Sequence, residues 1–198
     1  HAAWFLATQP TPPPQADSAS TIDLSETLST SGSLQALDAQ LNARQIENQA
    51  NALLRTGGTL RARVGSGQTF SNAGTVQAGT TLDLSGDLTL DNQANSKLLG
   101  NQLALAVTTI QNAGVIQGGE VHNSSVAASG LLNNSGTLTI YTGSKGSGGG
   151  TVSGNQIINA GTLQSLGNLS VGIGAGGLQS QGDLLANGNI ALSGRGNA

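Results

Sequence analysis

Apolar residues alternate with small or polar ones in short runs along this chain. Leu82-Asp83-Leu84, Leu88-Thr89-Leu90, Leu103-Ala104-Leu105-Ala106-Val107, Leu169-Ser170-Val171 and Ile190-Ala191-Leu192 all keep period two. That period sends successive side chains to opposite sides of a pleated backbone, so each run predicts a short, half-buried β-strand. Between the runs stands a second unit, Asn-[Ala/Ser]-Gly-x-[Leu/Ile/Val]. It reads Asn72 to Val76, Asn112 to Ile116, Asn134 to Leu138 and Asn159 to Leu163, with degenerate copies at Asn48-Gln49-Ala50 and Asn92-Gln93-Ala94. Successive asparagines lie 24, 20, 20, 22 and 25 residues apart.

Recurrence at a short, nearly fixed interval denotes a solenoid. An interval of roughly 20 residues holds about three short strands and their corners; helical repeats need about 33 to 47. Strands that recur one interval on stack as parallel partners. The predicted fold is all-β, a parallel β-helix of about eight coils of roughly 20 residues. At about 4.8 Å per coil, the ordered part from Ile22 to Leu192 makes a rod on the order of 40 Å long. Leu, Ile and Val then form inward columns, and Asn48, Asn72, Asn92, Asn112, Asn134 and Asn159 form an axial ladder of amides. Gly74, Gly114, Gly136 and Gly161 fall at a corner that demands either positive φ or close approach of two backbones. A competing reading, Asn-Gly hairpin turns, predicts antiparallel strands without axial register. Leu34, Leu37 and Leu41 also have helical spacing, so a helical cap competes with the first coil there.

Two stretches break the pattern. Residues 1–21 include Pro10, Pro12, Pro13 and Pro14, which predicts an extended segment outside the ladders. Trp4, Phe5 and Leu6 are expected to cover the apolar end or side of the rod. Residues 22–198 carry the repeats, with a Gly-rich insertion at 142–150 that coincides with the longest interval. The chain begins His1-Ala2-Ala3 and contains no Met, so it reads as an internal fragment.

Composition narrows the function classes. Charged residues make up 9% of the 198, against about 25% in ordinary globular proteins. The 30 glycines and low charge would suit a disordered chain, but regularly placed Leu, Ile and Val argue for a packed one. Seven Lys and Arg and a net charge of −3 give no basic stripe for nucleic acid or an anionic membrane surface. No run of 18 apolar residues exists to insert into a bilayer. The absence of Cys removes disulfides and thiolate zinc sites.

The strings Ile46-Glu47-Asn48, Leu90-Asp91-Asn92, Asn72 to Ala78, Asn159 to Ser165 and Gly188-Asn189-Ile190-Ala191-Leu192 carry a family likeness. They resemble the haemagglutinin repeats of filamentous-haemagglutinin-like exoproteins, the large secreted partners of two-partner secretion systems. Those exoproteins include adhesins and effectors of contact-dependent growth inhibition. The likeness covers roughly residues 34 to 194. It implies a right-handed β-helix at the surface of a Gram-negative cell. It also implies an outer-membrane transporter as secretion partner, and work as a shaft that presents distal domains for cell adhesion or cell–cell contact. The matching residues are structural, and the secretion-domain and toxin motifs of such parents are not found in this chain.

Parallel β-helices also serve as polysaccharide-degrading enzymes, which need two carboxylates about 5 to 9.5 Å apart. Asp83, Asp87 and Asp91 are the candidates. The alternation sets them on different faces of one coil, and neighbouring coils supply no acidic column, so no catalytic residue is assigned. His122 lacks a second histidine, and the Gly-rich insertion lacks both calcium-ligating aspartates and a Gly-Lys-Ser/Thr phosphate loop; no metal or cofactor is expected. A Thr column for ice binding is started by Thr75, Thr137 and Thr162 and interrupted by Val115. Aligning Leu60 with Leu82 places Arg61 over Asp83, which predicts an exposed ion pair between coils. Arg55, Arg61 and Arg63 form a basic group suited to an acidic glycan, and Arg61 and Arg63, with Tyr141 and Lys145 at the insertion, are the candidate surface for a glycan or receptor; a solvated charged face is the plainer account.

Overall fold

A computed structural model describes residues 19–119, 123–140 and 150–194. All the strand pairings are parallel. Among the described residues there is no helix. The pairings join the strands into three faces of one β-solenoid of about eight coils. Face A starts with Ala19–Asp23 and Asp38–Ala43 and ends with Ile190–Gly194. Face B starts with Thr27–Thr30 and Gln45–Asn48, and face C with Ser33–Ala36 and Leu53–Thr56. Coils are numbered 1 to 8 from the N-terminal end, so Asn48 lies in coil 2 and Asn159 in coil 7.

The inward columns follow from the alternation. On face B, Ile46 pairs with Phe70, Phe70 with Leu90, Leu90 with Ile110 and Ile110 with Leu132. Face C stacks Leu54, Val76, Leu98, Ile116, Leu138 and Leu163 in the same way. Leu41, Ala62, Leu84, Leu105 and Val126 do so on face A. All of these side chains are buried. Each large one contributes about 1.5–3 kcal/mol by leaving water. Because the three columns meet along one axis, a coil has no core of its own and depends on the coils above and below. At the C-terminal end the columns run out, and Ile190 and Leu192, which stack on Leu169 and Val171, are exposed.

Four details differ from the sequence reading. Pairing begins at Ala19, ahead of the boundary drawn at residue 21, because Ile22 already stacks on Leu41. The helical spacing at Leu34, Leu37 and Leu41 does not produce a helix: Leu34 is in Ser33–Ala36, Leu41 is in Asp38–Ala43, and Leu37 marks the corner between them. Several strands run longer than the short ones that the alternation predicts. Thr75–Asn92 spans 18 residues and Lys97–Asn112 spans 16, since their corners keep bonding to the neighbouring coil through small register shifts. Gly150 belongs to the strand Gly150–Asn159, one residue inside the expected insertion. The rest of that insertion, Tyr141, and the Pro-rich start with Trp4, Phe5 and Leu6 lie outside the described residues.

Candidate functional site

At the corner between faces B and C, each coil turns through the Asn-containing unit. The Asn side chain points inward, and a buried amide must find partners for two N–H groups and a carbonyl. Asn48 Nδ2 donates to Asn72 Oδ1 at 2.8 Å, and Asn72 donates to Asn92 at 2.8 Å. Asn92 then donates to Asn112 (2.8 Å), Asn112 to Asn134 (2.7 Å) and Asn134 to Asn159 (2.8 Å). Each Nδ2 gives its second hydrogen to a backbone carbonyl of the next coil: Thr75, Lys97, Val115, Thr137, Thr162 and Asp183 in turn. The column therefore satisfies both donors of every amide. No buried side-chain nitrogen or oxygen among the described residues lacks a partner.

Two hydroxyls end the column, and the sequence reading missed both. Thr30 Oγ1 donates to Asn48 Oδ1 at 2.7 Å, while Ser180 Oγ accepts from Asn159 at 3.2 Å and donates to Gly182 O. The only signal for them was position, because a hydroxyl can replace an amide at a column end without matching the Asn unit. Gly74, Gly114, Gly136 and Gly161 sit beside the column by close approach, the second of the two expected reasons. Positive φ occurs at Gly67, Gly86 and Gly177 instead. A Cβ on Gly136 would overlap the carbonyl oxygen of Gly114, and one on Gly161 would overlap that of Gly136. The two degenerate copies use a longer corner, in which Asn51 and Asn95 take positive φ (64° and 66°). Asn tolerates the left-handed region better than other side chains with a Cβ.

Charged chemistry gathers on face A. Arg61 stands beside Asp83 in the strand register, and its Nε lies 3.2 Å from Asp83 Oδ2. Arg63 reaches the same carboxylate, with Nη1 at 3.2 Å from Oδ1 and Nη2 at 3.4 Å from Oδ2. One acid thus serves two guanidinium groups, and the cluster keeps a net positive charge. The Asp83 side chain is 20% exposed, against 57% and 43% for the arginines, so water screens the attraction. At the next corner, Asp87 accepts from Ser66 Oγ (2.6 Å) and Thr108 Oγ1 (2.7 Å). The Ser66 hydroxyl, followed by that of Thr108, holds its carboxyl below the ordinary aspartate value.

Asp91 projects from face B, beyond the corner that carries Asp87 and away from Asp83 on face A. The three carboxylates therefore do not share one surface. Among the described residues no three of His, Cys, Asp and Glu come together as metal ligands. The Thr column is broken at Lys97 as well as Val115. His122 and Lys145 lie outside the described residues. A shallow trough follows the corner between faces A and B, floored by Ala128, Ser129, Ser153, Asn155 and Gly172. None of these floor residues is charged.

The sequence is 38% identical over 149 residues, 75% of this chain, to a protein named deoxyribonuclease CdiA from Dickeya dadantii (strain 3937). That stretch makes up 4% of the relative's length. No family model matches the chain, and no solved structure matches it. The nuclease activity in the relative's name is a property of that whole protein.

Proposed function

We propose that this chain is a shaft segment of a large secreted exoprotein, holding distal domains away from a Gram-negative cell surface for adhesion or cell–cell contact. The observation that carries this reading is the continuous amide column from Thr30 to Ser180. It makes the molecule an axial element with its polar capacity consumed internally. The match to a small part of a far longer protein fits a segment whose parent does its work elsewhere along the chain. By likeness to haemagglutinin-repeat exoproteins, the parent would reach the surface through an outer-membrane transporter. We assign the segment no enzymatic activity: separated carboxylates do not suit a polysaccharide-degrading β-helix.

The test is a pair of deletions in the intact parent. Removing residues 92–111 joins Asp91 to Asn112 and takes out one whole coil in register. Removing residues 92–101 takes out half a coil. A shaft predicts that the first variant still displays its distal domain and makes productive cell contact, while the second loses both. Equal loss in the two variants would reject the reading.

One observation favours a second reading, a glycan- or receptor-binding face. Arg61 and Arg63 converge on one acid and keep excess positive charge; Tyr141 and Lys145 are its other candidate residues. Arg61→Ala with Arg63→Ala should then reduce cell binding without altering the thermal melt, whereas a shaft predicts unchanged binding.

A further inference from the structure

The charges outside face A are sorted by sign. All the ion pairs among the described residues lie on face A or its corner: Arg61 and Arg63 with Asp83, and Arg44 with Glu26 at 3.9 Å. Face B carries Glu47 and Asp91 and no base. Face C carries Arg55 and Lys97, both exposed, and its single acid among the described residues, Asp183, stands four coils beyond Lys97. None of Glu47, Asp91, Arg55 and Lys97 has an ion-pair partner among the described residues.

Their levels match. Glu47 and Asp91 share one column through Ser71, in coils 2 and 4. Arg55 and Lys97 occupy coils 2 and 4 of face C, in adjacent columns. Both pairs are therefore spaced about 10 Å along the axis, two coils at about 4.8 Å. The sideways offset between the two bases is about two residues, roughly 7 Å, which long Arg and Lys side chains can span.

We propose that face B of one rod docks on face C of a second copy, side by side, parallel and level. Glu47 then meets Arg55 of the second copy, and Asp91 meets Lys97. The parallel arrangement overlaps all eight coils; an antiparallel one centred on these charges overlaps only coils 1 to 5. Eight coils at about 4.8 Å by four residues at about 3.3 Å give roughly 500 Å² per face. The total of about 1,000 Å² is the lower bound for a specific contact. The contact is weak for a single pair of rods and is strengthened by repetition, because it joins two different patches and leaves the pair with one of each free.

Sedimentation of the purified chain tests this. In about 0.01 M salt, where screening reaches about 30 Å, the average mass should rise with concentration. In about 1 M salt, where it falls to about 3 Å, the chain should be monomeric. Arg55→Glu with Lys97→Glu, and separately Glu47→Lys with Asp91→Lys, should each weaken self-association at least about tenfold in low salt. Mixed together, the two double variants should associate with each other, because face C of the first now matches face B of the second. Circular dichroism and the melting temperature establish that both remain folded. A monomer at low salt throughout, association indifferent to the reversals, or a mixture that stays monomeric would each overturn the proposal. So would capture of the wild type by anionic vesicles through Arg55 and Lys97 without self-association.

Discussion

The amide column and the face A cluster both tie coil to coil, at different depths. In the column, each Asn is buried and bonds to the coils on either side, with Asn-to-Asn bonds of 2.7–2.8 Å. On face A, two exposed guanidinium groups share Asp83 at 3.2 Å. A formal charge would suggest that the second holds more tightly. The reverse is expected. An exposed ion pair is worth about 0–1 kcal/mol, while each buried polar group left without a partner costs about 1–3 kcal/mol. Depth, more than charge, decides which contact the rod cannot lose.

The largest effect should come from the backbone beside the column. Gly136→Val drives a side chain into the Gly114 carbonyl and should cost about 3 kcal/mol or more in urea unfolding. Wild-type stability in that variant would remove close approach as the reason for the glycine. Next is Asn112→Ala, which strips an acceptor from Asn92 and donors from Asn134 and Thr137 O. It should cost about 2–3 kcal/mol; a loss no greater than for Asp83→Ala would erase the contrast between the two regions. Asp83→Ala itself should cost less than about 1 kcal/mol, and the difference should shrink in high salt. The smallest effect is that of pH on Asp87. Its folded carboxyl titrates below the unfolded value, 3.8, mainly because Ser66 and then Thr108 donate to it. Its contribution is thus present above that value and is lost as pH falls through the folded one. The stability gap between wild type and Asp87→Asn should stay constant from neutral pH to about 5 and close below about 4; a gap that widens in acid would reverse the assignment.

Period and alternation made the fold legible, because both are direct projections of strand geometry. The amide column was legible for the same reason: six asparagines at one interval can only stack if the coils do. The Arg61 and Asp83 register followed from aligning Leu60 with Leu82. What escaped depended on neighbours in space. Arg63 reaches Asp83 diagonally, one coil up and one column across, which a column-by-column alignment does not display. Thr30 and Ser180 end the amide column by hydrogen-bonding capacity alone. The left-handed turns at Asn51 and Asn95 had a visible signal, the identical strings Asn48-Gln49-Ala50-Asn51 and Asn92-Gln93-Ala94-Asn95, whose fourth residue carries the turn. Separation of charge onto faces B and C appears only once each strand has been given its face.

The intervals between column asparagines vary from 20 to 25 residues, yet the amide spacing stays at 2.7–2.8 Å. Surplus residues therefore add nothing to the height of the column. The molecule measures itself in asparagines: extra loops can decorate such a mast without making it taller, and only a whole new rung extends its reach.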